Sequence, residues 1–185
     1  MLAVKVTVDE RSFKEASHIL RAIPRAVPRV FRRAIKNAVD KTATDLKRRV
    51  GAQIMAKKSE IAKGISKKKS TYYGSVGAKP FKPGLIAYKG TKEEKPHGVS
   101  YRLSRTAGRK RIEHGFIATM PSGHRGVFAR KRPSRLPIRE ARGPSIWKVI
   151  TDTVGLLKAC TDAAGERLGK LINDQIGVEF RRWSR

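Results

Sequence analysis

Phe116-Ile117-Ala118-Thr119-Met120-Pro121-Ser122-Gly123-His124-Arg125-Gly126-Val127-Phe128-Ala129-Arg130 reads as two short runs of aromatic, β-branched and small residues on either side of a Pro-Ser-Gly turn. Such runs suit a pleated, half-buried surface, and the proline and glycine between them supply the backbone angles of a tight reversal. The stretch predicts an antiparallel hairpin, with strands near Arg111–Thr119 and Gly126–Lys131 and a loop at Pro121-Ser122-Gly123.

The same texture extends outward. From Thr71 to Arg139 apolar and polar residues alternate and turn residues recur. This predicts further strands near Tyr72–Gly77, Leu85–Lys89, Val99–Arg105 and Leu136–Arg139, with a second hairpin loop at Thr106-Ala107-Gly108.

Upstream the period changes. Ala3 to Val8 alternates as a short strand, and Phe13, Ala16, Ile19, Leu20 and Ile23 then recur at helical spacing. Pro24 and Pro28 each suit the start of a following helical turn. The longest helical pattern runs from Arg29 to Ile54. Phe31, Ala34, Ile35, Ala38, Val39, Thr42, Leu46 and Val50 line one side of it, and Arg29, Arg32, Arg33 and Lys36 line the other. A short helix capped by Ser59 follows, with Ile61, Ala62 and Ile65 facing inward.

Downstream, Gly143-Pro144-Ser145 ends the strands, and Ser145 suits the cap of a helix over Ile146–Ile150. A last helix runs from Asp152 to Phe180, burying Val154, Leu157, Ala164, Leu168, Leu171, Ile172, Ile176 and Phe180. Helices grouped before and after a block of strands give an α+β fold. Its expected parts are N-terminal helices (one long, basic and amphipathic), a central antiparallel β-sheet and a long C-terminal helix. A chain of 185 residues suits a single domain, 1–185, helical over 11–66, mainly β over 71–140 and helical again over 145–181.

Charge is the outstanding property: 43 Lys and Arg stand against 15 Asp and Glu, a net +28. Such an imbalance repels itself in a compact chain and points to a polyanionic partner, nucleic acid before membrane. Twenty of the cations and only three acids (Glu93, Glu94, Glu113) lie between Ile61 and Arg139. The expected contacts to nucleic-acid phosphates are Arg109, Lys110 and Arg111 at one hairpin, and Arg130, Lys131, Arg132 and Arg135 between two strands. Aromatics make up 6% and no zinc-finger spacing occurs, so the expected contact is to phosphates without sequence readout.

Nothing in the sequence gathers into a catalytic or metal-binding pattern. Asp9-Glu10 and Glu93-Glu94 read as solvated turns rather than as ligands for metal-assisted cleavage. His18, His97, His114, His124 and Cys160 lack metal-ligand spacing, and Ser122 to Gly126 lacks the pattern of a phosphate-binding loop. No cofactor is expected. Cys160, the single cysteine, lies in a helical pattern and excludes a disulfide within the chain. The alternating N-terminus is unlike a signal peptide, and no apolar run reaches membrane-spanning length.

One block carries more specific information. Met120 to Arg130, followed by Leu136-Pro137-Ile138-Arg139-Glu140 and Gly143-Pro144-Ser145-Ile146, resembles the C-terminal signature of the prophage minor tail protein Z family. That signature runs as a small-residue turn, a G-H-x-G-V-F strand, L-P-I-R-E and G-P-S-I. Gly123, His124, Gly126, Val127 and Phe128 carry its first part here, and Leu136 to Glu140 with Gly143, Pro144 and Ser145 the rest. The Phe116-Ile117-Ala118 strand and the basic N-terminal helix also fit, so the resemblance spans most of the chain. Its specific part runs from Met120 to Ile146. Ala141 and Arg142 stand where family members often carry another apolar or aromatic residue, and Trp147 replaces the more usual proline.

The motif reads as architecture rather than as an active site. Leu136 and Ile138 are expected on one strand face, Arg139 and Glu140 to pair at its end, and Gly143-Pro144 to turn the chain into the final helix. The resemblance implies a structural protein of a long-tailed phage and not an enzyme: a tail-completion protein in the virion, at the proximal tail or neck. It implies a homo-oligomer, a hexameric ring, that meets tail terminator, tail tube and head-connector proteins. Double-stranded DNA passes through that neck, and assembly takes place in the host cytoplasm. Charge alone would also suit a general non-specific nucleic-acid-binding protein, and a phage nuclease or packaging enzyme is the third reading.

Overall fold

In the computed structural model, which describes residues 3–21, 23–130, 134 and 136–184 (of Pro24 the backbone alone), the chain begins with β1 (Ala3–Thr7), α1 (Glu10–Ile19), α2 (Val27–Gln53) and α3 (Lys58–Lys63). The strands β2 (Ile65–Lys69), β3 (Tyr73–Ala78), β4 (Lys92–Glu94), β5 (Gly98–Tyr101) and β6 (Lys110–Ile112) follow. Then come β7 (Phe116–Thr119), β8 (Arg125–Arg130), β9 (Ile138–Glu140), α4 (Ile146–Asp152) and α5 (Leu156–Trp183). The fold is α+β. Among the described residues the strands form three small antiparallel sheets, ordered β1-β3-β2, β4-β5-β6 and β7-β8-β9, where the sequence predicts one central sheet.

By packing, the chain falls into two compact units, each drawn from separate stretches of sequence. The first comprises Met1–Leu46, Ile65–Ala78 and Thr153–Arg185, and the second Lys47–Gly64 and Lys79–Asp152.

The first unit is organised by α2. Phe31, Ala34, Ile35, Ala38, Val39, Thr42 and Leu46 are all buried, as the helical period requires. Each large apolar side chain among them contributes about 1.5–3 kcal/mol on leaving water. Val4, Val6 and Val76 are buried on the sheet, and α5 packs on β1. At Gly74, opposite Val6, an added Cβ would lie 2.3 Å from Val39 Cγ2, so only glycine lets the sheet come this close to α2. Helix α1 is capped by Asp9, whose carboxylate accepts from the Ser12 amide at 3.1 Å, and it ends at Ile19 instead of Ile23.

Several elements differ from expectation for local reasons. Lys67-Lys68-Lys69 belongs to β2, an edge strand whose pairing with β3 needs no apolar alternation. Ser59 lies inside α3, which begins after Lys57 without a side-chain cap, and Ile65 has passed into β2. Leu85–Lys89 is a 3-10 turn (Leu85–Ala87) rather than a strand, although Leu85, Ala87 and Tyr88 are buried. The single strand expected over Arg111–Thr119 is broken at His114, with φ +55°, into β6 and β7 of different sheets. Glu93-Glu94, which reads as a solvated turn, lies in β4.

At the C-terminus, Gly155 in the left-handed conformation (φ +73°) separates α4 from α5 and resets the helical phase. Leu156 and Cys160 are therefore buried, Val154 is fully exposed and Leu157 only half-buried. Ala164, Leu168, Leu171, Ile172 and Ile176 follow as expected, but Glu179 rather than Phe180 closes the buried stripe. Among the described residues no helix is long and apolar enough to cross a membrane.

Candidate nucleic-acid interface

The expected phosphate-binding residues of the second unit start from the β4-β5-β6 sheet. Antiparallel pairing sets Ser100 opposite Arg111 on one side and Lys92 on the other, with Glu94 of β4 opposite Gly98. The Glu94 carboxylate accepts a 2.6 Å hydrogen bond from Ser100 and meets Arg111 at 3.3 Å and Arg109 at 3.7 Å. Arg109 also donates to Ser100 Oγ at 3.0 Å. The Ser100 hydrogen bond, aided by the two guanidiniums, holds the Glu94 carboxyl below its ordinary range. One acid thus orders two arginines while leaving a positive surplus, and Lys110 beside them is exposed.

The second expected cluster starts at the end of β8. Arg130 lies 5.9 Å from the centroid of the Phe116 ring, a cation–π contact worth about 0.5–1 kcal/mol when exposed. Lys131, Arg132 and Arg135 lie outside the described residues.

The motif residues form the adjoining sheet. Gly123, with φ +79°, closes the β7–β8 hairpin by donating to the Met120 carbonyl at 2.8 Å, and Met120 donates to the His124 carbonyl. Gly126, Val127 and Phe128 are buried, and Phe128 stands opposite Phe116 and Glu140. Arg139 and Glu140 do not pair, because successive residues of a strand point to opposite faces. Glu140 instead meets His124 Nε2 at 2.9 Å and Arg142 Nη2 at 2.7 Å. Burial opposes ionisation there, but hydrogen bonds from His124 and Arg142 outweigh it and hold the carboxyl below its ordinary range. Leu136 precedes β9 and is exposed beside Pro137, whereas Ile138 is half-buried.

Beyond β9 the chain turns at Gly143 and Pro144. The Gly143 amide donates to the Pro83 carbonyl at 2.8 Å, and Tyr88 lies so close that an added Cβ would sit 2.1 Å from its hydroxyl. Ser145 caps α4 by accepting from the Lys148 amide at 3.2 Å. These residues fix turns, close approaches and a cap.

In the first unit the charges follow a different plan. Arg29 and Arg33, on the cationic side of α2, both reach the buried carboxylate of Glu179, at 3.2 and 3.0 Å, and Arg182 reaches it at 3.3 Å. Asp40 accepts from Lys67 and Lys69 at 2.7 Å each, and these hydrogen bonds hold its carboxyl down to about 2. An open depression of about 340 Å³ is lined by Asp40, Lys41, Thr44, Asp45 and Arg167, with Asp45 paired to Arg167. Both of its carboxylates therefore already face cations. Among the described residues, no three of His, Cys, Asp and Glu gather where they could hold a metal ion. No family model, curated protein or solved structure matches the chain.

Proposed function

We propose that the chain is a structural virion protein of a long-tailed phage or phage-tail-like particle. It acts at the head-proximal end of the tail, in tail completion and head–tail joining, as a homo-oligomeric ring that contacts DNA without reading its sequence. The reading rests on the resemblance of Met120–Ile146 to the minor tail protein Z family. One observation supports it most: the described motif residues make the β7-β8-β9 sheet with its turn and the cap that follows, with Gly126, Val127, Phe128, Gly143 and Ser145 buried. Signatures that mark architecture have this character, whereas catalytic signatures converge on a cleft. The surplus of cations suits a passage for DNA, since phosphate contact needs charge and no chemistry. The same surplus favours a general nucleic-acid binder as the second reading.

Deleting the gene tests the proposal. Tails of normal length with few working particles are expected, with activity partly restored by purified protein and immunogold label confined to one end of the tail. Label along the whole shaft, or full titre without the gene, would overturn the proposal in favour of the general binder.

A further inference from the structure

We propose that Arg29, Arg33 and Arg182 form a phosphate clamp for nucleic-acid backbone, held in place by the buried Glu179. Glu179 is only 3% exposed, so its charge requires partners, and three guanidiniums supply them. The helices dictate the arrangement. Arg29 and Arg33 are one turn apart near the N-terminal end of α2, and Arg182 stands one turn beyond Glu179 near the C-terminal end of α5.

A guanidinium carries five N–H donors in a fixed fork, and each of the three approaches Glu179 through one terminal nitrogen. Their side chains remain 54%, 41% and 56% exposed, so the guanidiniums are both anchored and open to solvent. One carboxylate against three arginines leaves a surplus of two positive charges. Arg32 on α2 and Arg181 on α5 are exposed nearby in sequence, and Arg25 is exposed in the turn that precedes α2. Arginines fixed before the ligand arrives lose less rotamer freedom on binding, and their forks match phosphate oxygens. This site lies in the first unit and is distinct from the Glu94 cluster of the second.

The test turns on the sign of one substitution. Glu179→Gln raises the net charge by one yet removes the anchor. A diffuse basic patch would then bind DNA more tightly, whereas a clamp binds less. Affinity of the full-length protein for duplexes of unrelated sequence is measured by fluorescence anisotropy across a salt series, with folding checked by circular dichroism. Glu179→Gln should weaken binding at least threefold, while Glu166→Gln, at an exposed position, should not weaken it. Arg29→Gln with Arg182→Gln keeps Arg33 on Glu179 and should lower the log–log salt slope by about 1–2, as lost phosphate contacts do.

Tighter binding by folded Glu179→Gln, or an unchanged slope in the double variant, would overturn the proposal. Should Glu179→Gln fail to fold, the double variant decides alone. The exposed Trp183 is the feature that would instead suit a bilayer. Vesicles of anionic phospholipid therefore form the comparison arm, and preference for them over DNA, lost in Trp183→Ala, would also overturn it. Inorganic phosphate at millimolar concentration should compete only weakly, because a single phosphate engages one clamp and a nucleic acid engages a surface.

Discussion

Gly143→Ala places a methyl group where Tyr88 already stands. The new Cβ would lie 2.1 Å from the hydroxyl, 2.5 Å from Cζ and 2.6 Å from Cε2, against ordinary contacts of 3.4–4 Å. Tyr88 is 2% exposed, so its ring cannot swing into water without emptying its site. Displacing a packed ring by on the order of 1 Å costs about 1–3 kcal/mol. Among the described residues the Tyr88 hydroxyl has no hydrogen-bond partner, and burial pushes its ionisation up to about 12. Tyr88→Phe alone should therefore be neutral or stabilising by up to about 1 kcal/mol. The double variant should recover only part of the alanine cost, because the ring carbons still clash when the oxygen has gone. Urea unfolding followed by Trp147 fluorescence, in a Trp183→Phe background that leaves one tryptophan, reports on the unit concerned. Gly143→Ala within 0.5 kcal/mol of the parent, or Tyr88→Phe costing more than ~1 kcal/mol, would refute the packing argument.

Phe31→Ala should cost about 3–5 kcal/mol, read from the urea midpoint. Phe31 is fully buried, with ring centroids of Phe13 and Tyr72 at 5.4 and 5.9 Å. A loss under about 1 kcal/mol would mean that α2 packs otherwise. Asp40→Asn should flatten acid unfolding. Asp40 has a folded value of about 2 against an ordinary 3.8, so its contribution is present above 3.8 and lost as pH falls through about 2. With 40% of its side chain exposed, screening leaves on the order of 1 kcal/mol. An acid limb identical in parent and variant would show that the two lysines do not hold it.

Long, regular patterns were the legible part of the fold. The apolar side of α2 could be read over about five turns because every repeat reinforced the same phase, and the β7–β8 hairpin because its turn chemistry is local. Short runs were ambiguous: Leu85–Lys89 supports a 3-10 turn as well as a strand, since five residues carry little period. The tri-lysine edge strand had no apolar face to betray it. Between α4 and α5 a glycine in the left-handed conformation shifts the phase, which spacing alone does not register. The basic clusters were visible as charge, but their organisers, Glu94 and Glu179, were not. Glu94 reads from sequence as part of a turn. Glu179 follows Ile172 and Ile176 at helical spacing, and that position was the one available sign of an acid turned inward.

The threading of the two units bears on the order in which the chain becomes structured during synthesis. Every segment of the second unit has left the ribosome shortly after Asp152 is added, while the first still lacks α5, which packs on β1 and carries Glu179. Until then Arg29 and Arg33 have no carboxylate to gather around, and the valines of β1 wait with one side uncovered. A nascent chain halted at Asp152 therefore holds every segment of the second unit, while the first unit still awaits the helix that packs on β1.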